Sequence, residues 1–147
     1  MRPTSKLLAP LGLVLAAVLS AGLLACGKER AAEAPASQAV RFVDAELGRA
    51  VGGDRRITDP TDDFGPNDTI YLSVATEGSA SSATLAARWT YQDGQEVDRS
   101  ETTISPSGPE HTELHISKPD GWPAGNYQVE VTLDGRTVDT LEFEVEG

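Results

Sequence analysis

This 147-residue chain has one cysteine, one methionine and only 5% aromatic residues, so it is poor in the side chains that most often hold metals, form disulfides or fill large cores. Basic residues are also scarce. Twelve Lys and Arg face twenty-three Asp and Glu, a formal net charge of −11 at neutral pH. Without a second cysteine there can be no internal disulfide and no cysteine-rich zinc motif. The shortage of positive charge argues against a surface that neutralises nucleic-acid phosphates or adheres electrostatically to anionic headgroups. No Gly-x-Ser-x-Gly nucleophile elbow occurs, because Gly78-Ser79-Ala80-Ser81 lacks the second glycine. A phosphate-cradling glycine loop is missing as well, and no segment after residue 40 has convincing helical periodicity.

The chain does contain one long apolar run, near its start. Arg2 and Lys6 precede it, and Leu7 through Leu24 carries no charge. The run ends in Leu23-Leu24-Ala25-Cys26, which resembles a bacterial lipobox. That resemblance implies a lipoprotein signal peptide over 1–25, cleavage after the small residue Ala25, and lipidation of Cys26. Leu24 stands where the family more often has a small or branched residue. The competing reading is an uncleaved transmembrane anchor, since the run approaches the roughly 18–20 residues that span a bilayer. Pro10, Gly12, Ser20 and Gly22 interrupt it, and the cysteine falls at its end. No twin arginine is present, so general secretion is the expected route. Gly27 after the cysteine resembles an outer-membrane sorting signal, which points to a lipid-anchored protein facing the periplasm.

Lipidation would consume the only thiol in a thioether. Removing Arg2 and Lys6 with the leader leaves ten basic residues against twenty-three acidic ones, a net −13 for the mature chain. Membrane attachment must then come from acyl chains on Cys26, each buried methylene contributing about 0.8 kcal/mol. Residues 26–39 form an alanine-rich, charged stretch with Pro35 and no apolar periodicity. They read as a flexible tether of at most roughly 40 Å, with a short helix near Glu29–Ala34 as the alternative.

From Val40 to Gly147 the pattern is period two. Ile70, Leu72 and Val74 alternate with Tyr71, Ser73 and Ala75, and Leu85, Ala87, Trp89 and Tyr91 line one face of the next strand. Asp93-Gly94 suggests a two-residue hairpin turn. The segment Val97–Ile104 is thin in apolar residues and reads as an edge strand. Thr112, Leu114 and Ile116 face inward on a further strand. Tyr127, Val129, Val131 and Leu133 form the clearest one, and beyond Asp134-Gly135 the set Leu141, Phe143 and Val145 returns. Val138 is out of phase with that set and suggests a bulge. The stretch from Val40 to Val51 is consistent with a strand or a short helix. Counted as a strand, it makes seven, the spacing of a single immunoglobulin-like antiparallel β-sandwich.

Particular residues carry that resemblance. Trp89 lies mid-strand, where immunoglobulin-like domains place a core tryptophan. Gly121-Trp122-Pro123-Ala124-Gly125-Asn126-Tyr127 resembles the corner before the sixth strand, where a tyrosine hydroxyl bonds back to the main chain. The span from Asp68 to Val145 is similar to the C-terminal domain of Gram-negative lipoproteins, most specifically in Trp89–Gly94 and Pro119–Tyr127. This implies a disulfide-free domain and an envelope address, and it names no activity. Trp122, in a Gly/Pro corner, is expected to tolerate substitution better than Trp89.

Three groups of residues could carry chemistry. His111, Glu113 and His115 alternate along one strand and share a face, suiting zinc or copper. Same-face neighbours lie nearly 7 Å apart, however, which strains ligation by all three, and a solvated strand face is the plainer reading. The loop Asp59–Asp68 is rich in oxygen, as calcium sites are, yet it matches no known calcium spacing and carries two prolines. Ser79, Ser81 and Ser82 lie in a Gly/Ser loop with no evident base and orienting group. The expected protein is therefore a membrane-anchored envelope lipoprotein acting as a non-catalytic binding or scaffolding module, without cofactor. Its expected contact is the edge strand around Val97, Arg99 and Thr103, taking an envelope protein partner and no nucleic acid. The alternatives are metal or solute binding through His111 and His115, or inhibition of a secreted hydrolase. The Ser-Gly-x-x-Tyr motif of lysozyme-inhibitor lipoproteins is missing.

Overall fold

A computed structural model describes residues 39–147. Residues 1–38 lie outside the described part, and with them the expected leader, Cys26 and nearly all of the tether. The described residues form eight strands and no helix. They are β1 (Arg41–Gly48), β2 (Asp63–Phe64), β3 (Ile70–Glu77), β4 (Ala83–Tyr91), β5 (Gln95–Ile104), β6 (Glu110–Ile116), β7 (Gly125–Leu133) and β8 (Arg136–Val145). A three-stranded sheet in the order β1-β3-β6 packs on a five-stranded sheet in the order β2-β8-β7-β4-β5. All pairings are antiparallel except the short β2–β8 contact. The architecture is the expected immunoglobulin-like sandwich. The strand beyond the seven expected is β2, only two residues long, and the ambiguous first segment is strand rather than helix.

Period-two patterning explains the packing. Leu72 and Val74 on β3, Leu85, Ala87 and Trp89 on β4, and Val129 and Val131 on β7 are fully buried between the sheets. Burying each large side chain contributes about 1.5–3 kcal/mol. Phe143 is the hub of the aromatic core. It stacks on Tyr127 at 5.3 Å between ring centres and meets Phe64 and Trp89 edge-on at 5.5 and 6.0 Å. Few aromatics suffice because they gather in one place.

Two details of the sequence reading change. The β4–β5 hairpin turns through Gln92-Asp93-Gly94, since Tyr91 pairs with Gln95. Gln92 and Gly94 both take positive φ, so Gly94 supplies the left-handed position of a three-residue loop. Trp122 is not a tolerant corner residue. It is buried, donates its indole N–H to the Asp68 carbonyl at 3.0 Å, and packs edge-on against Tyr127. The corner itself matches expectation, because the Tyr127 hydroxyl donates to the Pro123 carbonyl at 2.7 Å. Asp134-Gly135 is a two-residue turn with both residues at positive φ.

Three register shifts interrupt the ladders, and each leaves a valine unpaired: Val43 on β1, Val97 on β5 and Val138 on β8. Val43 and Val97 are the exposed large hydrophobic residues of the domain, at 50% and 38%. A bulge rotates its extra residue out of the alternation, so Val43 and Val97 face water, while Val138 is half-buried against the core.

Candidate functional site

Among the described residues, strand β5 ends its sheet with no neighbour beyond it. Its ladder to β4 pairs Leu85 with Thr102, Ala87 with Ser100 and Trp89 with Asp98. Those three β5 residues therefore share the inner face, and Arg99, Glu101 and Thr103 share the outer one. The direction of the main-chain groups follows from one side-chain bond. The Arg99 N–H donates to the Asp98 carboxylate at 2.6 Å, so that amide points away from β4. By alternation, Arg99, Glu101 and Thr103 offer their N–H and C=O groups to the open edge, while Ser100 and Thr102 direct theirs into the ladder. Of the residues expected to make contact, Arg99 and Thr103 have free main-chain groups, whereas Val97 is the unpaired residue of the bulge.

At the start of the edge, Tyr91, Gln95, Val97, Lys118, Trp122 and Pro123 border a slot of about 380 Å³. The bulge exposes Val97 at its rim. The Tyr91 hydroxyl donates to the Ala124 carbonyl at 3.0 Å and accepts from the Gln92 amide at 3.0 Å, which fixes the ring. Glu96, beside the slot, accepts from Arg88 at 2.9 Å and from Arg99 at 3.3 Å. Arg88 first, and Arg99 with it, holds that carboxyl below its ordinary range. Apolar and aromatic surface next to unpaired main chain suits an added strand whose alternate side chains need a seat.

The other candidates are arranged differently. His111, Glu113 and His115 do share the outer face of β6, but their bonds diverge. The His115 Nδ1 lies 2.5 Å from the Glu113 carboxylate, and the His111 Nδ1 lies 3.3 Å from the Ser73 hydroxyl on β3. Four residues of strand separate the imidazoles by on the order of 13 Å. Among the described residues, no group of three or more His, Cys, Asp or Glu side chains is arranged to hold a metal ion. The Ser73–His111 pair was not foreseen. The Ser73 hydroxyl donates its single proton to the Arg55 carbonyl at 2.7 Å, so His111 Nδ1 acts as donor to that hydroxyl. This is the reverse of the polarity that activates a serine nucleophile.

In the acidic loop the Asp68 carboxylate and the main-chain carbonyls of Asp59, Asp62 and Asp63 are already engaged. The Asp68 carboxylate accepts from the Gly65 N–H at 2.8 Å and from Arg49 Nε at 3.0 Å, and Arg49 also donates to the Asp63 carbonyl. The Gly65 amide, aided by Arg49, keeps the Asp68 carboxyl below its ordinary range. A guanidinium thus supplies the positive charge that calcium would otherwise bring. Ser79 makes bridges to Ala39 and Ser107, and the Ser81 carbonyl accepts from the Ser105 hydroxyl. No histidine bonds to the serines of that loop among the described residues. The slot residues Tyr91 and Trp122 were read from sequence only as core and corner, and their placement beside the β5 edge depends on which loops meet at that end.

No family model and no curated protein matches the chain. Solved structures do. An immunoglobulin-like protein from Pseudomonas aeruginosa is similar over 76% of this chain and 100% of its own length, at 17% identity and a TM-score of 0.50. The C-terminal domain of wzt is similar over 76% of both chains, at 13% identity and a TM-score of 0.54. The alkylpurine DNA glycosylase AlkC from Pseudomonas fluorescens aligns at 16% identity and a TM-score of 0.48, and the chain spans 30% of its length. At these identities the first two likenesses show an immunoglobulin-like fold and nothing more.

Proposed function

We propose that this chain is a lipid-anchored envelope protein whose immunoglobulin-like domain is a non-catalytic binding or scaffolding module, engaging a protein partner along β5. The observation that carries this reading is the open β5 edge, with free main-chain groups at Arg99, Glu101 and Thr103 beside the slot at Val97. Main-chain bonds to such an edge supply affinity, and a seat for alternate side chains supplies selectivity. The reversed Ser73–His111 polarity and the divergent histidines support binding over turnover and over metal handling. The acidic surface supports attachment through lipid on Cys26, and Gly27 after it supports the outer membrane as destination.

The chain enters the domain at Ala39, which bridges to Ser79 and through it to Ser107. The β4–β5 hairpin, the 117–124 corner and the slot lie at the opposite end of the strands. Two experiments test the reading. In fractionated cells the wild-type chain should partition with membranes, and Cys26→Ala should accumulate as uncleaved precursor. Unchanged maturation of the alanine variant would overturn the anchoring. In-cell cross-linking with mass spectrometry should identify a partner that is lost in Arg99→Pro and Thr103→Pro. Survival of every cross-link in both variants would remove β5 as the contact.

A further inference from the structure

The β5 edge is complementary to itself in register and in charge, and we propose that the chain pairs through β5 with a second copy, joining two five-stranded sheets into one. This rests on the edge-strand reading above and names one occupant for it. Two copies of a strand related by a two-fold axis run antiparallel, with each residue and its opposite equally spaced from the central residue. Main-chain bonding requires residues with outward groups to oppose one another, and in β5 these are Arg99, Glu101 and Thr103. Three centres near mid-strand satisfy that condition. Centring on Arg99 sets Arg99 against Arg99, and centring on Glu101 sets Glu101 against Glu101. Like charges directly opposite are destabilising. Centring on Ser100 sets Arg99 against Glu101 of the second copy, and the axis repeats the pair.

The rest of that register fits as well. Asp98 comes opposite Thr102 of the second copy, a carboxylate facing a hydroxyl donor, and Ser100 meets Ser100 at the axis. Val97 comes opposite Thr103. The two Arg99–Glu101 pairs have their main-chain groups facing each other and supply about four inter-strand hydrogen bonds. Glu101 is exposed with no ion pair among the described residues, and Arg99, 57% exposed, has only a 3.3 Å pair with Glu96 to exchange, a carboxylate that Arg88 also holds at 2.9 Å. Asp98 must release the Arg99 amide for this to occur, and its new neighbour Thr102 then offers it a donor. The axis sets the two Ala39 ends at opposite ends of the joined sheet.

The test uses the full-length chain in its envelope. At the axis, Ser100 and Ser100 form a non-hydrogen-bonded pair with Cα atoms about 4.5 Å apart, within the range that a disulfide bridges. Ser100→Cys should oxidise to a covalent dimer of doubled mass on a non-reducing gel, whereas Glu46→Cys on the other sheet should not. Adding Arg99→Glu, or Glu101→Arg, to Ser100→Cys should abolish the dimer in each case. Combining both reversals in one chain should restore it. Co-expressing the two single reversals should also restore it, as mixed dimers, which shows that each variant is folded. No dimer from Ser100→Cys, or a dimer indifferent to the charge reversals, would overturn the pairing. If Arg99→Pro and Thr103→Pro still abolish capture of a different protein, the edge reading stands while the second copy falls. If those prolines change no cross-link at all, the edge reading falls with it.

Discussion

Trp122 donates its indole N–H to the Asp68 carbonyl at 3.0 Å, and the carboxylate of the same Asp68 holds Gly65 and Arg49. One residue thus links the 117–124 corner, the acidic loop and the end of β1. The Trp122 amide also donates to the Pro66 carbonyl at 2.7 Å, a second tie between the same loops. Trp122→Ala should therefore cost about 3–5 kcal/mol, as expected for a buried tryptophan, measured by chemical denaturation.

Trp89 differs from Trp122 in one respect. It is fully buried, yet its indole N–H has no hydrogen-bond partner among the described residues. Trp89→Ala should also cost about 3–5 kcal/mol. Phenylalanine should separate the two sites, because at Trp89 it removes an unsatisfied donor, whereas at Trp122 it leaves the Asp68 carbonyl unpaired. The hydrogen-bond part of the penalty, about 1–3 kcal/mol for a buried group left unmade, should appear only in Trp122→Phe. The fluorescence of Trp89 should be blue-shifted, and a solvent-quenched signal would contradict its place in the core.

Period-two patterning made most of the sandwich legible in sequence, because inward positions on β3, β4, β6, β7 and β8 are apolar or threonine at every second residue. The edge position of β5 was legible for the converse reason, its lack of apolar residues. The out-of-phase Val138 announced its bulge, but Val43 and Val97 did not, since their neighbours are polar and show no broken alternation. Strand β2 could not be read from two residues within a loop. Trp122 was misjudged because Gly121, Pro123 and Gly125 describe only the local turn, and its burial depends on Pro66 and Asp68, more than fifty residues earlier. The slot between Tyr91, Val97 and Trp122 depends on the same long-range contacts. The Arg49 bonds that occupy the acidic loop were hidden for the same reason.

Asp68 should contribute acid lability. Its carboxyl is held below the ordinary range by the Gly65 amide first and by Arg49. A depressed folded-state value means that the folded state favours the charged form. That stability is present above the unfolded-state value of about 3.9 and is lost as pH falls through the lower folded value. Melting temperature should drop across that acidic window in the wild type, and Asp68→Asn should show a smaller drop. Equal pH slopes in the two proteins would remove the carboxylate from the account.

Tyr127 should act at the other end of the scale. Burial first, and the neighbouring Tyr91, push its phenol above the ordinary value. The folded state favours the neutral form, so its contribution is present below an unfolded-state value of about 10 and is lost as pH rises through the folded one. Tyr127→Phe removes this alkaline loss and the bond to Pro123, costing about 0.5–1.5 kcal/mol at neutral pH. Denaturation curves at neutral and alkaline pH should converge for the two proteins as the phenol ionises.

Proline scanning along β5 should read out which amides are free. The Arg99 N–H meets only the Asp98 carboxylate, so Arg99→Pro gives up that bond and the exposed 3.3 Å contact with Glu96, both on an edge where proline is tolerated. It should cost about 1 kcal/mol, the worth of a typical intramolecular hydrogen bond, and Thr103, of the same parity, should behave alike. Ser100 lies opposite Ala87 with its amide directed into the β4 ladder. There the ring removes a ladder bond and leaves its partner unpaired, so Ser100→Pro should cost about 1–3 kcal/mol more than Arg99→Pro. The expected pattern in thermal melts is an alternation in which 99 and 103 are mild and 100 and 102 severe. Equal losses at all four positions would mean that β5 has no free side, and the edge would then be unavailable to any added strand.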